Sequence, residues 1–142
     1  MGIPNVEVNL IAVLAASVAT MIIGALWYSP LLFGNLWIKL TGMSKEKINK
    51  MKKEGKVGRS YFWAFIASIV SMCVLSLFVR YAGASSFGDG LIIGFYAWLG
   101  FMVPLSLNNV LWGGDSIKLF FLNAAHHLVA ACIGAGILAV LV

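Results

Sequence analysis

Charge is what this sequence lacks most. Of 142 residues, five are acidic and ten are lysine or arginine, 11% in all, against 61% hydrophobic and a mean hydropathy of +0.96. Soluble domains carry roughly 25% charged residues and about half apolar ones. A water-soluble fold is excluded, because so short a domain buries too little area to hide this much apolar surface. Lipid as the solvent removes the conflict, and residues 1–142 read as a single integral membrane domain with no room for a soluble module. Cysteine is scarce too. Cys73 and Cys132 fall inside apolar runs without metal-type spacing, so they act as small hydrophobes, and no disulfide is expected between them. The chain has no Gly-rich phosphate loop and no nucleophile elbow.

What is there is four apolar runs, at about 8–28, 61–79, 91–112 and 119–142. Each approaches the ~20 residues that a helix needs to cross a ~30 Å hydrocarbon core, and none has a charge in its central part. The expected fold is all-α: a four-transmembrane-helix bundle with a short basic amphipathic helix in the first loop. Ser17-Val18-Ala19 offers a small-residue cleavage site, but no basic residue precedes the first run, which continues into Trp27; it reads as a retained span and not a signal peptide.

The basic residues are gathered in one place. Lys39, Lys45, Lys47, Lys50, Lys52, Lys53, Lys56 and Arg59 lie between the first two runs, against Glu46 and Glu54. The positive-inside rule puts this loop in the cytoplasm and both termini outside, in a multi-pass protein of a cell membrane. Arg80 is the dissenting charge, at an outer end where it can snorkel. Ser44 is a candidate N-cap, and Lys45 to Lys56 is helix-permissive until Gly55 and Gly58 break it. Ile48 and Met51 would rest on the bilayer while Lys45, Lys47, Lys50, Lys52, Lys53, Lys56 and Arg59 meet anionic head groups. Two apolar residues make a weak face, so the plainer reading is a solvated topology signal. Because these lysines flank a span, nucleic acid is not an expected partner.

Small residues recur at four-residue spacing: Ala12, Ala16, Thr20 and Gly24 in the first run, Ala64 and Ser68 in the second, Gly90 and Gly94 near the start of the third, and Ala131, Ala135 and Ala139 in the fourth. Such stripes let helix backbones approach closely, which drives association in lipid. They serve this chain internally, a second copy of it, or other membrane subunits. Trp27, Tyr28, Trp37, Tyr61 and Trp63 bracket the basic loop and Trp112 ends the third run; interfacial aromatics of this kind anchor helices at head-group depth.

The polar residues sort to one leaflet. Tyr28, Ser29 and Pro30 end the first run; Ser106, Asn108 and Asn109 end the third; Asn123, His126 and His127 begin the fourth, about 6–12 Å in from Leu119. Intramembrane polar groups face the bundle interior and partner one another, so these residues predict an inner-leaflet polar cluster. Asn123 and His127 share a helix face, whereas the adjacent histidines point about 100° apart and do not readily enter one site. An Asn–His pair bonding between helices is the plain reading, and a solute or proton pathway the sharper one. Asp115 is the only carboxylate nearby, so no metal site is expected. A triad of Asp115, His126 and Ser29 lacks any geometry fixed by sequence, and neither a catalytic residue nor a cofactor is assigned. Pro30 stops a helix, Pro104 kinks the third run and frees a carbonyl near Gly100 or Phe101, and Gly113-Gly114 turns the chain.

The segment Gly24-Ala25-Leu26-Trp27-Tyr28-Ser29-Pro30-Leu31-Leu32-Phe33-Gly34, followed by Trp37, resembles the signature of a family of small membrane proteins catalogued as domain of unknown function 1761. The likeness extends over most of the chain, including Trp98-Leu99-Gly100-Phe101. It implies four helices and no established activity, so no functional residue is carried over; His126 and His127 lie outside its pattern. The expected role is a non-catalytic accessory or scaffold subunit, as a homo-oligomer or within a larger membrane complex. The alternative is a small-solute or proton transporter or channel using the polar cluster.

Overall fold

Asn9 starts the first helix. In the computed structural model, which describes residues 5–141, its side-chain oxygen accepts from the N–H groups of Ile11 and Ala12 at 3.1 and 3.3 Å, satisfying two of the donors that a helix start leaves open. Among the described residues the chain forms six helices and no strand: α1 (Leu10–Trp27), α2 (Gly34–Thr41), α3 (Lys45–Lys53), α4 (Lys56–Tyr81), α5 (Phe87–Leu111) and α6 (Ile117–Val140). Helices α1, α4, α5 and α6 are long and apolar enough to cross a membrane, and the protein is a membrane protein with four candidate spans.

Local chemistry explains where the spans begin. The Ser44 side chain caps α3. Gly55, at φ 72°, ends that segment and α4 starts at once, five residues earlier than the apolar run; Gly58 does not break the chain but lies in the first turn of α4. Helix α5 starts at Phe87 because Ser86 and Asp89 form a reciprocal capping box. Ser116 caps α6 through Leu119 N–H; Val142, the expected end of the fourth span, lies outside the described residues. Pro104 acts through a π turn at Trp98–Met102, where Val103 N–H reaches back to Trp98 O, one residue further than in an α-helix. Helix α2 was not expected from the sequence; Gly42, left-handed at φ 72° directly after Thr41, is its C-terminal signal.

The bundle is organised around α6, which packs against α1, α4 and α5. Helices α5 and α6 come into backbone contact. A Cβ added at Gly90 would lie 2.6 Å from Gly136 Cα, and one added at Gly94 would lie 2.7 Å from Cys132 Cα, besides colliding with the carbonyls of Ala135 and Ala131. The two small-residue stripes are thus paired within the chain. Ala12, Val13, Ala16, Met72, Val79, Ala135, Leu138 and Ala139 fill the half of the bundle near the termini, each at most 4% exposed. Asn9 Nδ2 donates to Leu141 O at 2.8 Å and ties the start of α1 to the end of α6. Helices α2 and α3 and the 112–116 turn gather at the opposite end, with the basic loop.

Gly94→Ala should lower stability in detergent by about 1–3 kcal/mol, since the added methyl has only backbone to displace. Gly100→Ala, with nothing within 4 Å of its added Cβ, should stay within about 0.5 kcal/mol of wild type. Equal unfolding midpoints for the two variants would contradict the contact.

Candidate functional site

The segment after α1 is a tight fold-back. Phe33 N–H donates to Trp27 O at 2.9 Å and Gly34 N–H to Ser29 O at 2.8 Å. A side chain at Gly34 would sit 2.7 Å from the Ser29 carbonyl carbon, so only glycine lets the chain pass this close to itself. The turn sets Phe33 against Trp27, with ring centroids 4.7 Å apart. It leaves Tyr28 aimed at α6, where its hydroxyl donates to Asn123 Oδ1 at 2.7 Å.

His126 fills the space beside these residues. Its ring centroid lies 5.1 Å from Tyr28 and 6.1 Å from Trp27, and a Cβ on Gly24 would come within 3.2 Å of its Nε2. Gly24 therefore seats an imidazole and does not join a helix–helix stripe. Both His126 ring nitrogens and Trp27 Nε1 are buried without a hydrogen-bond partner. Trp27 is an internal packing residue at its indole nitrogen, not a head-group anchor. Trp63 and Trp112, 64% and 87% exposed, do stand on the surface, and Trp37 leans edge-on against Tyr28.

Next to His126 the bundle opens. A cavity of about 410 Å³ lies between α1, α4 and α6, with Met102 of α5 at one side. Its walls are mostly small apolar groups, with Thr20, Ser68, Tyr28, His126 and His127 as the polar ones; Thr20 and Ser68 bond to each other across α1 and α4 at 2.7 Å. The two histidines do share this site, with ring centroids 5.1 Å apart, contrary to the expectation from their helical phase. The cavity is wide enough to wrap around two sides of α6, so a 100° offset does not separate them.

A second, smaller space of about 70 Å³ lies between the ends of α5 and α6, lined by Ser106, Asn109, Asp115, Asn123 and His127. Its volume suits one or two waters at roughly 30 Å³ each, not a metabolite. His127 is the wall common to both spaces and, unlike His126, is not a buried orphan. Asn108 is exposed and joins neither. Ser29 donates to Leu26 O at 2.7 Å and also lines neither, so Ser29, Asp115 and His126 are not brought together. No group of three His, Cys, Asp or Glu side chains with metal-site geometry occurs among the described residues. One contact had no sequence signal beyond the presence of a tryptophan in a span: Trp98 Nε1 donates to Ala124 O at 2.8 Å and fixes the π turn against α6.

The fold-back, its glycine and its two aromatics account for the segment from Gly24 to Gly34 as one structural unit. The chain belongs to the DUF1761 family. That family, described as a protein of unknown function, matches residues 11–139, which takes in all four spans almost completely. No match was found among curated proteins or among solved structures. In this DUF1761 protein His126, distant from the fold-back in sequence, lies directly against it in space, with His127 beside it.

Tyr28→Phe should cost about 0.6–2 kcal/mol, the range for an interhelical hydrogen bond in lipid. A double-mutant cycle with Asn123→Ala should return a coupling of at least about 0.5 kcal/mol. Additive losses would mean that the bond does not hold α1 to α6.

Proposed function

We propose that this DUF1761 protein binds a small molecule within the membrane, in the cavity beside His126 and His127, and that handling this solute is its role. The observation that carries the reading is the contrast between the two halves of one small bundle. The half near the termini is close-packed by alanine, valine and leucine, as a structural bundle requires. The other half keeps a cavity of about 410 Å³, within the range of roughly 300–1,000 Å³ for ligand sites and mostly apolar with a few convergent polar groups. The two unpartnered buried ring nitrogens of His126, in its wall, cost roughly 1–3 kcal/mol each, which packing alone gives no reason to retain. Ionisable groups inside a membrane commonly mark a solute or proton path, and His127 joins the cavity to the polar space between the ends of α5 and α6.

The accessory-subunit reading draws on the small-residue stripes, and those of Ala12 and Ala16, Gly90 and Gly94, and Ala131, Ala135 and Ala139 are used inside the chain by the α5–α6 contact and the core, which leaves Ala64 exposed. Lipid satisfies the remaining apolar faces. The basic loop we place in the cytoplasm by the positive-inside rule, with its lysines available to anionic head groups. We assign no catalysis, since Asp115 and Ser29 lie apart from His126.

Gently extracted protein should carry a stoichiometric small molecule in native mass spectrometry. Ala67→Trp, which fills the cavity from α4, should lose it, and Gly100→Ala should retain it. In proteoliposomes, His127→Ala should abolish flux of the bound solute while the bundle stays folded. Wild type that arrives without such a molecule, in a fixed assembly with other subunits, would return the protein to the accessory class.

A further inference from the structure

Helices α4 and α5 part company at the π turn. Their backbones approach through residues 87–97 of α5 and scarcely beyond, while the Phe78 and Phe101 rings stack across the gap with centroids 6.3 Å apart. The gap is a groove of about 390 Å³, floored by Met72, Leu75 and Ala97 and rimmed by Val74, Phe78 and Phe101. The three rim side chains are exposed, so in a bilayer the groove faces acyl chains. Ser71, Met72 and Met102 line both this groove and the cavity beside the histidines. The two spaces are therefore adjoining compartments, both reached from the lipid: an apolar limb, and a limb toward the basic-loop end that carries His127, Thr20 and Ser68 and is bordered by the exposed Tyr61, Ala64 and Ala67. Neither lining contains Lys, Arg, Asp or Glu. A formal charge held there would have no countercharge, which the membrane interior penalises.

We propose that groove and cavity together admit, sideways from the bilayer, an uncharged amphiphile with one apolar chain and a compact hydrogen-bonding head: an alcohol, phenol or quinone. The chain lies between α4 and α5 at mid-depth, and the head enters the cavity toward His127. This polarity matches that of a lipid in the same leaflet, tail toward the midplane and head toward the interface, so the amphiphile need not invert. A helix of a second copy would cover the groove but bring no polar group to His127. The inference rests on the cavity being a binding site, and it adds the ligand class and the route.

The test is photolabelling of the reconstituted protein with three diazirine probes, mapped by peptide mass spectrometry: mid-chain-labelled hexadecanol, its hexadecyltrimethylammonium counterpart, and a short phenol. Hexadecanol should label Val74, Phe78 and Phe101 saturably and be displaced by unlabelled hexadecanol. The ammonium probe should not label them saturably. Ser71→Phe, at the junction, should abolish saturable hexadecanol labelling and leave phenol labelling around His127. Met102→Phe, on the opposite wall, should do the same, so a poorly folded first variant does not decide the matter. Saturable phenol labelling with hexadecanol spread evenly over all lipid-facing positions would overturn the lateral route while leaving the binding site standing. No saturable labelling by either neutral probe would overturn both. Equal labelling by the ammonium probe would overturn the uncharged head, and a dimer cross-linked through Phe78 or Phe101 would replace the amphiphile with a second copy.

Discussion

The backbone contact between α5 and α6 is the constraint on which the rest of this protein depends. Gly90 and Gly94 meet the carbonyls of Ala135 and Ala131, leaving no room for a side chain. Lipid provides no hydrophobic force to hold two apolar helices together, so close approach, with its dispersion and weak carbonyl contacts, has to supply it. Trp98 reinforces the same pair from the π turn by donating to Ala124 O. With α5 fixed to α6 in this way, its position relative to α4 is no longer free.

That consequence shapes the site. Three helices around a central one cannot all touch each other: here α1 and α5 stay apart, and α4 meets α5 only through residues 87–97. Near the termini Met72, Leu75 and Val79 still reach the shared core. Beyond the π turn they do not, and groove and cavity occupy the space that a fifth element would fill in a larger bundle. The fold-back after α1 closes this half at the basic-loop end. It positions Trp27 and Tyr28 against His126, and the Tyr28–Asn123 bond does there what Asn9 and Leu141 do at the far end.

Much of the fold was legible because lipid imposes it one helix at a time. A span must satisfy its own backbone hydrogen bonds and be apolar over about 20 residues, and both are local properties. Caps were readable for the same reason: Ser44 and the Gly55 break at α3 are one-turn effects. Span starts were missed where a helix begins before its apolar run, directly after the left-handed Gly55 at Lys56 and at the capping box before Phe87. Helix α2 was missed because its eight residues lie below the length at which periodicity is persuasive.

The polar residues show where local reading ends. By itself the sequence determined that this is an all-α membrane protein with four spans, a concentrated basic loop, small-residue stripes and a polar band at one depth. Those follow from hydropathy, charge and helical spacing, which need no partner helix to be defined. Only the tertiary structure decided that Gly24 faces His126 and not another helix, that both histidines line one cavity, and that Asn108 and Ser29 stay outside it while Met102 and Ser71 border it. Depth along a span is set by residue count, but the direction a side chain meets depends on which helix stands opposite. In this bundle that was settled by the two glycines that bring α5 onto α6, with α4 meeting α5 only through residues 87–97.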